Sequence, residues 1–292
     1  MPEMIKCEGL VKIYKTEDIE VMALQGLDLT IEQGELIAII GNSGSGKSTF
    51  LNMVGGLERP SAGRLFVDGE DLFQYTDEQL KDYKQNTVGF VWQNNARNLF
   101  PYLTAEQNIM VPMQFAKNKN VNKKDRAKEL LEMVGLSHKR DRLLHQLSGG
   151  EQQRIAIAIA LANQPKILLA DEPTGAVDMK TSNMIQDMFR EFNRELGVTI
   201  VIVTHDLSLS NKVNRVVSIR DGKISSERLI KADYLSKIKE LDNFSAADTH
   251  EEYAILDKNG RVQIPHDYLE AAGITDNRVK IKMDGTNIII TK

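Results

Sequence analysis

An α/β fold built on a parallel sheet is what this chain predicts, and three observations carry that expectation. Short, almost wholly apolar runs recur at 36–40, 87–92, 167–170 and 199–203. Each gives way to polar or charged residues, as strands buried on both faces of a parallel sheet do. Between them lie stretches of helical character at 104–117, 123–134, 150–162 and 179–196, and strands alternating with helices make a parallel α/β core. The third observation is a glycine-rich segment, Gly41 to Ser48, set between the first apolar run and a helix expected over 47–55.

The remaining elements frame this core. Residues 5–14 and 21–31 read as strands, the second interrupted by Gly26, and Gly34-Glu35 turns the chain into 36–40. Residues 213–220 and 223–228, joined at Asp221-Gly222, read as a hairpin. A helix over 231–241 then gives way to a small-residue linker at 242–248. Beyond it the pattern changes to short strands at 253–257, 261–265, 278–283 and 287–291, with turns at Asn259-Gly260 and Asp284-Gly285. A short helix over 266–272 stops at Gly273. The expected division is therefore a large domain over 1–230, a helix and linker over 231–250, and a small, mostly β domain over 251–292.

Composition narrows the function. A chain of 292 residues has room for one large domain and one small one. A net charge of −4 argues against a general nucleic-acid binder, which carries a basic stripe. Cys7 is the single cysteine, so no disulfide framework is expected and a reducing compartment is implied. No apolar segment of the secretory kind follows Met1-Pro2-Glu3-Met4-Ile5-Lys6. The longest apolar stretch, 155–162, falls far short of the roughly 20 residues of a spanning helix. Any link to a membrane is expected to run through a partner.

Gly41-Asn42-Ser43-Gly44-Ser45-Gly46-Lys47-Ser48 fits the Walker A pattern, with Thr49 next in the helix it opens. Its glycines let successive backbone N–H groups converge on phosphate oxygens, and the helix adds its positive end. Lys47 is expected to reach the β- and γ-phosphates of ATP, and Ser48 to coordinate Mg²⁺. Asp171 closes an apolar strand, where a carboxylate can hold the Mg²⁺ shell; Glu172 follows it. Gln93 and His205 also stand at strand ends. A fifth element, Leu147-Ser148-Gly149-Gly150-Glu151, opens a helix and makes a second anion site.

With these five elements in one order, the chain resembles ATP-binding-cassette (ABC) proteins over roughly residues 1–230. The resemblance implies a P-loop core of the RecA kind with an antiparallel β subdomain and a helical subdomain. It implies that Glu172 acts as general base on the attacking water, that Gln93 contacts Mg²⁺ or that water, and that His205 senses the γ-phosphate. Tyr14 stands where the family keeps an aromatic for stacking on adenine; the alternative is a strand tyrosine in the core or at an edge. Ser148, Gly149, Gly150 and Glu151 would face the γ-phosphate of a second subunit in a head-to-tail homodimer. Asp178 matches an aspartate that crosses this interface, and it can also cap the helix that begins after it. Ile159 departs from the family's usual arginine, which implies altered packing rather than lost catalysis.

The region around Tyr14 and the phosphate loop is similar to the lipoprotein-release, macrolide-export and antimicrobial-peptide-resistance branch. That branch implies an integral membrane permease with an extracytoplasmic domain, and a cassette held through it at the cytoplasmic face of the plasma (inner) membrane. The segment 94–103 would receive the permease, with Phe100, Pro101 and Tyr102 as anchors; the alternative places these aromatics in the core. A soluble cassette ATPase is the rival from another class, although such proteins usually carry two cassettes or a long coiled coil. Residues 253–265 resemble AbrB-like transition-state regulators, whose fold is an intertwined dimer of swapped hairpins. Over 251–292 six basic side chains stand against seven acidic ones. That balance argues against DNA as a partner and favours a dimerisation or regulatory module over a DNA-reading one.

Overall fold

The computed structural model describes residues 2–16, 19–93, 99–116, 122–206, 209, 212–230, 250–256, 260, 262, 264, 266–274 and 279–291. Strand β3 (Leu36–Ile40) is buried at all five positions, and its side chains divide between two cores. Leu36, Ala38 and Ile40 face one; Ile37 and Ile39 face the other. This alternation between two dry faces is why the run is apolar throughout. The same division sends Leu168 and Ala170 to the first core and Ile167 and Leu169 to the second.

The strands are β1 (Glu3–Lys15), β2 (Glu20–Glu32), β3, β4 (Ala62–Val67), β5 (Glu70–Asp71), β6 (Val88–Val91), β7 (Ile167–Asp171), β8 (Thr199–Thr204), β9 (Arg215–Arg220), β10 (Lys223–Ile230), β11 (His250–Ala254), β12 (Lys280–Asp284) and β13 (Asn287–Thr291). The helices are α1 (Lys47–Val54), α2 (Asp77–Asn86), α3 (Ala105–Phe115), α4 (Lys123–Met133), α5 (Gly149–Ala160), α6 (Met179–Leu196) and α7 (His266–Ala271). The main sheet has the order β11-β10-β9-β3-β8-β7-β6. Its pairs from β9 to β6 are parallel, and β10 and β11 extend it antiparallel. A second, antiparallel sheet has the order β2-β1-β4-β5. It packs with α1 and α2 on one face of the main sheet, while α3 to α6 build the other core.

Helix α6 shows how local sequence sets an element. Ile185, Met188, Phe189 and Phe192 recur at helical spacing and are buried. Asp178 caps its start by accepting from Thr181 N at 3.0 Å, and Gly197 ends it in the left-handed conformation. The span from Met179 to Leu196 is the one expected. Three elements between residues 56 and 86 were not expected: β4, β5 and α2. Helix α2 buries only Tyr83, so it shows no apolar period; its signal is the capping box of Thr76 and Gln79.

The tail differs from its expected layout. Its first strand lies at His250–Ala254, rather than 253–257, and is hydrogen-bonded to β10 from Ile230↔His250 to Ser226↔Ala254. The expected border at 250/251 thus falls inside a strand of the main sheet. β12 and β13 form a separate two-stranded hairpin where strands were expected at 278–283 and 287–291, and one isolated bridge joins Leu256, in the expected 253–257, to Val262, in the expected 261–265. The helix expected at 231–241 and the linker at 242–248 lie outside the described residues. Among the described residues no helix is long and apolar enough to cross a membrane.

Because Phe192 is fully buried between α6 and the main sheet, Phe192→Ala is expected to destabilise the chain by about 3–5 kcal/mol through lost burial and a residual cavity. A fall in thermal unfolding temperature checks this; an unchanged temperature would show that the site collapses without loss.

Candidate functional site

Parallel strands bring the sequence-predicted residues to one edge of the sheet. Register aligns Ile40 with Thr204 and Ser218, Asp171 with Val203, and Val91 with Ala170. The phosphate loop, Gln93, Asp171-Glu172 and His205 therefore all leave the carboxyl ends of neighbouring strands, where open α/β sheets bind ligands. A cleft beside the loop is lined by Gly41, Asn42, Ser43, Gly44, Ser45 and His205, together with the β9–β10 turn.

The loop is held from outside. Gly46 has φ 103°, and a Cβ there would lie 2.4 Å from Ala23 O, so glycine is required twice over. The β9–β10 turn reaches it: Gly222 N donates to Ser45 O at 3.0 Å, and Gln25 N donates to Gly222 O at 2.9 Å. Asp221 and Gly222 both have positive φ, the geometry of a tight hairpin turn. The sequence showed the turn but not that it supports the loop.

The polar groups of the loop fit a polyphosphate. Gly46 offers α1 no side-chain cap, so the first-turn N–H groups keep their donors for anionic oxygens. Ser45 Oγ is buried without a hydrogen-bond partner. Lys47 Nζ donates to Gly41 O at 2.8 Å and Asn42 O at 2.9 Å, within reach of the loop's concave side. Burial pushes the Lys47 ammonium below its ordinary pKa, with Glu172 and Asp171 pulling it back up. Ser48 Oγ donates to Asp171 Oδ1 at 3.2 Å, which pairs a hydroxyl with a carboxylate oxygen. These are hard oxygen donors of the kind Mg²⁺ takes alongside phosphate oxygens. Gln93 is exposed just beyond β6, at the same end of the sheet.

Glu172 and His205 meet directly. His205 Nδ1 lies 2.8 Å from Glu172 Oε1, while Thr204 Oγ1 and His205 N donate to Oε2 at 3.2 and 3.4 Å. The Glu172 side chain is 12% exposed and that of His205 70%. Glu172 also has φ 47°, a left-handed conformation that costs a non-glycine residue energy and that clusters at functional sites. Its amide donates to Val203 O at 2.8 Å, which holds that conformation. No sequence signal pointed to it.

The other predicted residues lie elsewhere. Ser148 caps α5: its Oγ accepts from Glu151 N at 3.2 Å, and Glu151 Oε2 accepts from Ser148 N at 2.8 Å. That hydrogen bond, opposed by burial and aided by Lys139, holds the Glu151 carboxyl below its usual range. Ser148 and Gly149 are exposed, and no residue of 148–151 lines the phosphate-loop cleft. Asp178 is exposed, and hydrogen bonds from the Thr181 backbone and hydroxyl depress its pKa. Ile159 packs partly buried against the helical core. Phe100, Pro101 and Tyr102 are exposed, Tyr102 at 72%, which rules out the core placement. The buried Asn108 pins them, accepting from Phe100 N and donating to the carbonyls of Phe100, Leu103 and Thr104. Residues 94–98 lie outside the described residues. Tyr14 sits on β1 near α1, 38% exposed, its hydroxyl on Glu58.

A phosphate loop at a strand-to-helix junction, with a carboxylate at the end of a parallel strand in hydrogen-bond contact with its serine, defines a P-loop nucleoside triphosphatase. The family model for ABC transporters matches residues 24–175. An uncharacterised ABC transporter ATP-binding protein of Thermotoga maritima is 45% identical over 77% of this chain and 94% of its own length. A lipoprotein-releasing system ATP-binding protein, LolD 1 of Rhodopseudomonas palustris, is 42% identical over 77% of this chain and 100% of its own. The macrolide export ATP-binding/permease protein MacB of Rhodopirellula baltica is 43% identical over 77% of this chain, which covers 33% of that longer protein. Among solved structures, the dimeric bacterial ABC transporter cassette MJ0796 has a TM-score of 0.73 at 39% identity, over 78% of this chain and 100% of that one. The same cassette in a post-hydrolysis state bound to ADP and phosphate gives a TM-score of 0.72 at 38% identity, with the same coverage. The chain belongs to the ABC transporter family, as an ATPase that uses ATP with Mg²⁺.

Proposed function

We propose that this chain is the ATP-hydrolysing subunit of a membrane transporter in which ATP-driven pairing of two cassettes moves a partner permease. The work done is mechanotransmission or export of a peptide, lipoprotein or drug, as the names of the LolD and MacB relatives suggest. The permease carries an extracytoplasmic domain, and the cassette sits with it at the cytoplasmic face of the membrane. Phe100 and Tyr102, held outward by Asn108, are the anchors for its cytoplasmic helix. One observation carries the pairing: the phosphate-loop cleft contains no residue of 148–151, whereas Ser148 and Gly149 stand exposed at the start of α5. A single chain thus offers two half-sites, and a head-to-tail partner brings Ser148-Gly149-Gly150 to the phosphates of Lys47, with Asp178 at the seam.

Within that composite site the roles follow from chemistry. The loop amides and Lys47 bind the phosphates, and Tyr14 takes the base. Ser48, Asp171 and Gln93 would hold Mg²⁺, which neutralises charge on the phosphate oxygens. Glu172, an acceptor oriented by Thr204 and His205, takes the proton of the attacking water. Glu172→Gln keeps the shape but not the basicity. It is expected to bind ATP, to accumulate as an ATP-bound dimer, and to lose at least about 100-fold in turnover. Unchanged turnover in steady-state phosphate release would sink the assignment.

The shared site has its own test. Ser148→Arg and Lys47→Ala chains are each expected to hydrolyse little ATP alone. Mixed, they form some dimers in which an unaltered phosphate loop faces an unaltered α5 start, and activity partly returns. A mixture as inactive as its components would exclude the shared site.

We further propose that the tail is an AbrB-like module that joins two copies of this chain. Register places Ile281, Met283, Ile288 and Ile290 on one face of the β12–β13 hairpin. Ile281, Met283 and Ile288 are 67–69% exposed. Two-stranded hairpins are marginal alone, and a second hairpin of the same kind would cover this face and raise the effective concentration of the cassettes. Removal of residues 256–292, which spares β11, is expected to weaken dimerisation without nucleotide while leaving ATP binding in place. Sedimentation of the two forms checks this; identical monomer–dimer equilibria would refute it.

A further inference from the structure

Glu58 stands just past α1, outside every motif read from the sequence, and its carboxylate joins two elements of the site. Oε1 accepts from Asn52 Nδ2, on α1, at 3.0 Å. Oε2 accepts from the Tyr14 hydroxyl at 2.6 Å and pairs with Lys12 Nζ at 3.1 Å, both on β1. Lys12 is itself fixed, donating to Arg59 O at 2.8 Å, and its ammonium lies 5.0 Å from the centroid of the Tyr14 ring. The Tyr14 hydroxyl also reaches Thr49 Oγ1 at 3.5 Å, two residues beyond Lys47. The ring is thus held at its hydroxyl by Glu58 and on one face by Lys12, a cation–π contact. A tyrosine on an exposed strand would otherwise rotate freely about two side-chain torsions, and a stacked ligand would have to order it. Burial pushes the Glu58 carboxyl up, but hydrogen bonds from Tyr14, Asn52 and Lys12 prevail and hold it below its usual range. It is therefore an acceptor at neutral pH.

We propose that Glu58, together with Lys12, is a positioning residue for the nucleotide base: it fixes the Tyr14 ring so that the face opposite Lys12 receives a purine. The inference rests on reading Tyr14 as the base platform. A base stacked on a pre-set ring costs less ordering than one that must arrest it, so the Glu58 contact reaches the ligand as affinity. It acts on the base alone and leaves the phosphate loop as it is.

The test compares ATP with inorganic tripolyphosphate, which has no base, binding to the full chain without Mg²⁺ so that no turnover intervenes. Glu58→Ala, which leaves the Tyr14 hydroxyl without its acceptor, and Tyr14→Phe are each expected to weaken ATP binding roughly 3- to 10-fold, the size of one net hydrogen bond. Tripolyphosphate binding should not change. Because Glu58→Ala and Tyr14→Phe both abolish the hydroxyl–carboxylate contact, Tyr14→Phe should add nothing to the loss in Glu58→Ala. Unchanged ATP binding in Glu58→Ala, equal loss of both ligands, or fully additive effects would each overturn the positioning role. Tyr14→Ala separates the two levels. If it leaves the ATP-to-tripolyphosphate ratio intact, the platform reading fails and takes this inference with it. If it lowers the ratio while Glu58→Ala does not, only the positioning role fails.

Discussion

The site depends on one constraint: β3 must stay dry on both faces and yet end in a loop that faces solvent. Its five residues are locked between two cores and between β8 and β9. Ile40 is the last of them, and the chain leaves it directly into Gly41. The position of the phosphate loop is therefore set by packing that has nothing polar in it. Polar contacts then trim the loop from the side, through Gly222 to Ser45 and through Gly222 to Gln25. Three separate stretches of sequence converge on one turn of backbone, so rigidity at the loop is a long-range property of the fold.

Charge is arranged around the sheet with similar economy. Arg215 opens β9 and lies between Glu227 and Glu35, at 2.8 and 3.3 Å, while donating to Thr30 O at 2.8 Å. Burial works against its charge, and the two glutamates more than offset that, so its pKa is raised. The contact ties the main sheet to β2 at the end away from the phosphate loop. Removing one partner of such a group leaves the other stranded, at a cost larger than the net contribution of the pair.

How much was legible in the sequence follows from which interactions are local. The parallel strands were readable because burial on both faces leaves an unbroken apolar run. Helix α6 was readable to the residue, because Asp178 and Gly197 mark its ends and Phe189 and Phe192 its inner face. Helix α2 was not, since a helix that buries one side chain has no period to detect. The motif residues could be placed at strand ends from spacing alone. Their contacts could not: Glu172 and His205 are 33 positions apart and Tyr14 and Glu58 are 44 apart, and only the fold closes those distances. The left-handed backbone at Glu172 was invisible for the same reason, being imposed by Val203 from a neighbouring strand. The pairing of β11 with β10 lies across a 19-residue gap that no turn signal bridges.

That last strand has a consequence for how the molecule behaves among its own kind. The outer rim of a sheet is an unfinished hydrogen-bond pattern, and any extended chain can complete it. Here the rim of β10 is completed from within, by five residues that carry Glu251 and Glu252 side by side, both exposed. The new rim is short, and Glu252 on it pairs with Arg228 of β10 at 3.7 Å. The strand thus works as a hem. It covers the rim of β10 and leaves a shorter one in its place.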